Sequence, residues 1–181
     1  MASTRRQQSV AAVMTTLVLM GGRPGIASEQ PRWPIDSHVR SSEDRLLNLL
    51  RNGVARSPTL RELIGVLNRS DVIVYLESRG RMRTGFSAYL VHQVVTAGAH
   101  RYLKVVVNRE LARDRLICVI AHELQHAREV AEAANVRSSA DMEALFKRLD
   151  SGMCVLIRSC TETDAAVRLQ AAVLGELNAG R

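Results

Sequence analysis

The stretch VIAHELQHAREVAEA, residues 119–133, limits the fold more than any other part of the chain. Leu116, Ile117, Ile120, Ala121 and Leu124 recur at the spacing that places them on one face of an α-helix. The same period stacks His122 and His126 one turn apart, so both imidazoles can reach a common point. Glu123 is rotated by about 100° from His122. The pattern predicts a helix over 114–133 with its apolar stripe on a core and its two histidines on a shared edge.

Two histidines so placed can offer two nitrogen ligands to one zinc ion, with the adjacent carboxylate free to act on a water. By chance, roughly one chain in a hundred of this size would carry His-Glu-x-x-His. A tetrahedral catalytic zinc needs a third protein ligand. No histidine follows His126, so a carboxylate must serve. Glu162, in TETDAAVRL, is the first choice, because Ala165 and Ala166 would let its helix approach the motif helix closely. Glu129 is the rival; one turn past His126 on the same helix, it is better placed to accept a hydrogen bond from an imidazole N–H. Glu132, Glu143 and Asp164 remain as further alternatives.

Elsewhere, residues 41–44 (SSED) predict the start of a helix ended by Gly53, and Ser57-Pro58 starts a second running to Asn68. Residues 71–77, 85–95 and 101–108 are rich in Val, Ile and Tyr, and the short turns between them predict a three-stranded antiparallel meander. Ser139 is placed to cap a helix to Leu149, with Gly152 closing it. Thr161 and Asp164 form a capping-box-like pair for a last helix. The class is α+β, with a small antiparallel sheet packed against helices.

Ahead of this domain, Arg5-Arg6, an apolar run over 10–20 and the small residues Ala27 and Ser28 have the order of a secretory signal. The division is therefore signal peptide 1–28, linker 29–40 and one domain over 41–181, exported as a periplasmic or secreted protein with no membrane span in its mature form. An oxidising compartment makes a Cys154–Cys160 pairing an open question and leaves Cys118 as a small core residue. The net charge of +7 comes from arginines scattered singly or in pairs among acids. Such scatter favours a solvated basic surface over a nucleic-acid partner.

His122-Glu123-x-x-His126 followed by a downstream Glu162 resembles the gluzincin branch of the zincin metallopeptidases. The order of leader, helices, small sheet and motif helix also resembles small exported bacterial zincin-like proteins. The resemblance implies a zincin-like fold, one zinc per chain held by His122, His126 and Glu162, Glu123 as general base, and a peptide or protein as substrate. It further implies that the strand over 101–108 is a sheet edge that aligns an extended peptide. An oxyanion-stabilising group is also implied, for which Tyr102, His100, Tyr89 and His92 are all available. The alternative is a non-catalytic zinc-binding scaffold of the cell envelope; Glu123, which such a scaffold does not need, separates the two.

Overall fold

The strand expected at a sheet edge, β5 (His100–Asn108), lies at its centre. In the computed structural model, which describes residues 33–80, 82, 86–152 and 162–179, β5 pairs in parallel with β2 (Val72–Arg79) along its whole length, from Val72↔Arg101 to Arg79↔Asn108. Its other side pairs antiparallel with β3 (Ala88–Leu90) and β4 (Val95–Ala97). A short β1 (Val39–Arg40) adds to β2 in parallel. The sheet is therefore mixed, with the order β1-β2-β5-β3, and the antiparallel meander is corrected. Burial explains the difference. Leu103, Val105, Val106 and Val107 make β5 apolar on both faces, and a strand buried on both faces belongs inside a sheet. Chain neighbours β2 and β3 are separated by it.

The strand expected over 85–95 is two strands broken at residues 91–94, where Gln93 N–H donates to the Val91 carbonyl at 2.7 Å. Gly98, at φ +58°, allows the tight turn from β4 into β5. Of the expected linker, residues 33–40 are part of the domain: Trp33 Nε1 donates to the Val39 carbonyl at 2.8 Å, and Asn68 Oδ1 accepts from His38 N at 2.8 Å.

Helices cover one face of the sheet. α1 (Asp44–Arg56) does not stop at Gly53; that residue is buried within it, and a Cβ there would lie 2.8 Å from Leu60 and 2.9 Å from Ile117. Glycine thus sets the close approach of α1 to α2 (Pro58–Asn68) and to α3 (Arg113–Glu132). Ser57 caps α2 by accepting from Leu60 N at 3.0 Å, with Pro58 at the first helical position as expected. Ser138, one residue before the expected cap, begins α4 (Ser139–Leu149) through a capping box with Asp141. In α5 (Asp164–Ala179) the cap is Thr163, whose Oγ1 accepts from Ala166 N at 3.2 Å; Thr161 lies outside the described residues. Glu162 therefore stands before the helix.

The core joins Val72, Val74, Leu76, Leu103, Val105 and Val107 of the sheet to Leu116, Ile117, Ile120 and Leu124 of α3, with α1, α2 and α5 closing the sides. Cys118 is buried and free, as expected, whereas Cys154, Cys160 and the whole leader are outside the described residues. Among the described residues no helix is long and apolar enough to cross a membrane.

One core residue is charged. Arg101, the second residue of β5, is fully buried: its guanidinium binds Asp71 at 2.8 and 2.7 Å, and donates to the carbonyls of Val130, Ala131, Ala133 and Val136 at 2.8–3.1 Å. It ties the start of the central strand to the C-terminal end of the motif helix, where a cation is also favoured by the helix dipole.

Candidate metal centre

α3 carries His122 and His126 on the expected shared edge, with ring centroids 4.9 Å apart and planes at 79°. Glu162 meets them from the segment before α5. Its Oε1 is 2.9 Å from His122 Nε2 and 3.8 Å from His126 Nε2, and the ligand atoms of the three residues all lie within 4.8 Å of one another. Three donors each about 2.1 Å from one ion would sit about 3.4 Å apart, so a single cation could bridge this set with small side-chain movements. His126 is buried, His122 and Glu162 half-buried.

Orientation comes from Glu129, which is not a third ligand. One of its oxygens lies 2.9 Å from His126 Nδ1; the other accepts from Thr163 Oγ1 at 2.7 Å. Facing a carboxylate, Nδ1 carries the proton, which leaves the Nε2 lone pair directed at the centre. Through Thr163 the same carboxylate fixes the residue next to Glu162. The Glu162 carbonyl also accepts from Ser151 N at 2.8 Å and Ser151 Oγ at 2.9 Å, so the chain after α4 holds the ligand's backbone. The other carboxylate candidates lie apart: Glu132 pairs with Arg128 at 2.7 Å, Glu143 with Lys147 at 2.8 Å, and Asp164 is exposed near Arg168.

The electrostatics suit a cation. Glu162 Oε1 is buried with only the two imidazole edges beside it, 2.9 Å from His122 Nε2 and 3.8 Å from His126 Nε2, and His122 Nδ1 is buried without a hydrogen-bond partner among the described residues. Burial alone would raise the Glu162 pKa, but the hydrogen bond and charge of His122, with His126 beyond it, bring it below the ordinary value. Burial likewise works against the His122 cation, yet Glu162, Glu123 and Glu129 outweigh it and hold its pKa above normal. The His122 shift reports the negative charge gathered around its ring, and the Glu162 shift reports the stabilisation of its carboxylate by the two imidazoles.

Glu123 stands beside this set. It is buried, its Oε2 accepts from Leu90 N in β3 at 2.7 Å, and burial, opposed by the charges of His126 and His122, raises its pKa. β3 thus positions the carboxylate expected to act as base. By contrast β5 has neighbours on both sides and no free edge with which to align a peptide, which removes that expectation.

Sequence reasoning missed Thr163 and the Leu90 amide. A threonine before Asp-Ala-Ala is a legible cap signal. Nothing in the sequence ties it to Glu129, because that contact spans 34 residues.

Fold and site together define an α+β protein with a His-His-Glu constellation able to hold a metal ion. Compared with protein-family models, with curated proteins and with solved structures, the chain finds no match.

Proposed function

We propose that this protein is an exported, zincin-like zinc metallopeptidase that binds one zinc per chain and hydrolyses peptide bonds. The observation that carries the proposal is the convergence of His122, His126 and Glu162 with Glu123 beside them and outside the donor set. Nitrogen and carboxylate donors in this number favour zinc over calcium or magnesium, which take oxygen-rich sets. Zinc in such a site supplies Lewis acidity, which brings a water's pKa towards neutrality and polarises a carbonyl.

The chain's own residues do the rest. Leu90 N–H occupies one oxygen of Glu123 and fixes the carboxylate, leaving the other to take a proton from the attacking water. As the water oxygen bonds to the carbonyl carbon and the C–N bond breaks, that proton passes from Glu123 to the leaving nitrogen, giving an acid and an amine. A carboxylate whose affinity for protons is raised by burial suits both halves of the transfer. Glu129 keeps His126 in the tautomer and orientation that ligation needs.

One observation favours the non-catalytic scaffold: the Leu90 N–H bond gives Glu123 a structural task of its own. Elemental analysis of purified wild type, Glu162→Ala and Glu123→Gln, with casein cleavage measured on each, separates the readings. The peptidase predicts near one zinc in wild type and Glu123→Gln, strong loss in Glu162→Ala, and cleavage by wild type alone. Folded wild type that takes up no zinc overturns both readings, whereas zinc without cleavage supports the scaffold.

A further inference from the structure

The sheet face turned away from the helices carries an apolar groove. Val74 and Leu76 of β2 belong to the core, so Tyr75 between them points the other way, as do Tyr102 and Lys104 on either side of the buried Leu103 in β5. Tyr75 and Tyr102 stack at 6.4 Å and 22° on the floor of the groove. Trp33 and Ile35 line it on the β1 side, Val91 and Val95 on the far flank of β5, around a volume of about 670 Å³. Of the chain's six Phe, Trp and Tyr residues, three line this groove and only Phe146 is among the buried core residues. Rings gathered at a solvated surface mark a place where something docks.

Exposed apolar side chains concentrate in the same place. Among the described residues the large ones are Ile35, Tyr75, Val95, Leu149 and Leu174, and the first three belong to the groove. Ile35 is the extreme case, at 98% exposed. With Asp36 it forms the tip of a β-turn closed by Ser37 N–H, which donates to the Pro34 carbonyl at 3.1 Å. The turn is anchored on both sides: Trp33 Nε1 donates to the Val39 carbonyl at 2.8 Å, and buried Ser37 donates through Oγ to Asn68 Oδ1 at 3.3 Å. A firmly seated turn thus presents an apolar side chain to water at the rim of an apolar groove that it does not fill.

Charge gives the tip and the groove opposite signs. Asp36 is exposed at the tip, whereas Arg40, Tyr75 and Lys104 are in register across β1, β2 and β5 and make a basic row on the floor. Lys104 is paired with Glu77 at 2.8 Å; of Arg40 only Nε is bonded among the described residues, to the Ser37 carbonyl at 2.9 Å. Tip and groove lie on one face and match in polarity and sign, which is what a two-fold contact needs, since each copy must supply both halves. We propose that a second copy of this chain covers the groove: the Ile35-Asp36 tip of each copy enters the groove of the other, Ile35 against Tyr75 and Tyr102, and Asp36 towards Arg40. The turn is already part of the folded domain, so the contact forms without rearrangement. It involves none of the residues of the metal centre, and its outcome is separate from that of the peptidase proposal.

Analytical ultracentrifugation of purified wild type and variants over a concentration series is the test, with circular dichroism to check the fold. Wild type should be a dimer. Ile35→Arg, which replaces the apolar tip with a cation facing the basic row, and Tyr75→Ala, which opens the floor, should each weaken association by about tenfold or more, as loss of a central apolar anchor does. Asp36→Arg should weaken it by about threefold, the usual share of a charge at the rim, and adding Arg40→Asp should restore it. Leu174→Asp, at an exposed position that does not line the groove, should leave the dimer as in wild type. A monomeric wild type overturns the proposal and gives the groove to a ligand or to another protein. A dimer that Ile35→Arg and Tyr75→Ala leave intact, or that Leu174→Asp weakens equally, also overturns it, because another surface would then hold the copies together.

Discussion

Two pairs of histidines lie close together in this molecule, and only one is part of a candidate metal centre. His122 and His126 have ring centroids 4.9 Å apart; His38 and His100, on the other face of the sheet, are 5.6 Å apart. The difference is in the company each pair keeps. Around the first, Glu162 faces both Nε2 atoms and Glu129 holds His126 Nδ1 from behind. Around the second, His38 Nδ1 is 3.1 Å from the Val72 carbonyl, and the neighbours are aromatic: His100 edges onto Tyr102, which stacks on Tyr75. Two imidazoles at ligand distance do not make a centre; an anionic third donor and an acceptor that fixes the ring do.

The largest contrast is expected in metal content. His126→Ala and Glu162→Ala should each remove nearly all bound zinc, while His38→Ala and His100→Ala leave it at wild-type level, as read by elemental analysis. Zinc lost on changing His38 or His100 would break the comparison. Next in size is turnover. Glu123→Gln retains Leu90 N–H as a donor to the side-chain oxygen, so it should keep zinc and fold and lower casein cleavage by at least about 10²-fold, the typical contribution of a positioned base. Glu129→Gln should weaken zinc affinity by about 10–100-fold, measured by competition with a chelator, because the amide is a poorer acceptor for His126 and for Thr163.

A smaller effect, on stability alone, tests the anchor of the motif helix. Arg101→Met leaves four carbonyls at the end of α3 without their donor and Asp71 without its partner, at a cost of about 3 kcal/mol. Urea unfolding of the zinc-free protein would measure it. The smallest is an acid limb. The hydrogen bond and charge of Arg101 hold Asp71 below its ordinary 3.8, so its contribution is fully present above that value and fades as pH falls through the lower folded-state value. Asp71→Asn should flatten the decline in Tm below about pH 4, and an unaltered acid slope would assign it to other carboxylates.

Local signals in the sequence were legible to within a residue or two. Ser57-Pro58 starts α2, and the apolar stripe of α3 and the placement of His122 and His126 on its edge follow from a period enforced by hydrogen bonds four residues apart. The choice of Glu162 over Glu129 rested on how closely a helix can approach past Ala165 and Ala166. Glu162 does join the histidines, but from the segment before α5, gripped by Ser151 and fixed through Thr163. Its neighbourhood was foreseen and its means of support was not.

Reading failed where one residue acts against distant ones. Gly53 carries the same stop signal whether it ends a helix or lies under Leu60 and Ile117, and only the packing distinguishes them. Arg101 looked like one more scattered surface arginine until four carbonyls of α3 and its following loop surrounded it. The sheet order failed for the same reason. Short connections suggested sequential neighbours, but the strand with the most apolar surface took the centre and pushed β2 and β3 apart.

By itself, then, the sequence determined the α+β class, most helix boundaries, the donor types and the one-turn spacing of the two histidines, because helical geometry is written in interactions a few residues long. Only the tertiary structure decided which carboxylate joins them, which one orients His126, and which strand lies inside. Those outcomes depend on contacts between segments tens of residues apart, whose partners are selected by burial of the whole core and are not encoded in any single stretch.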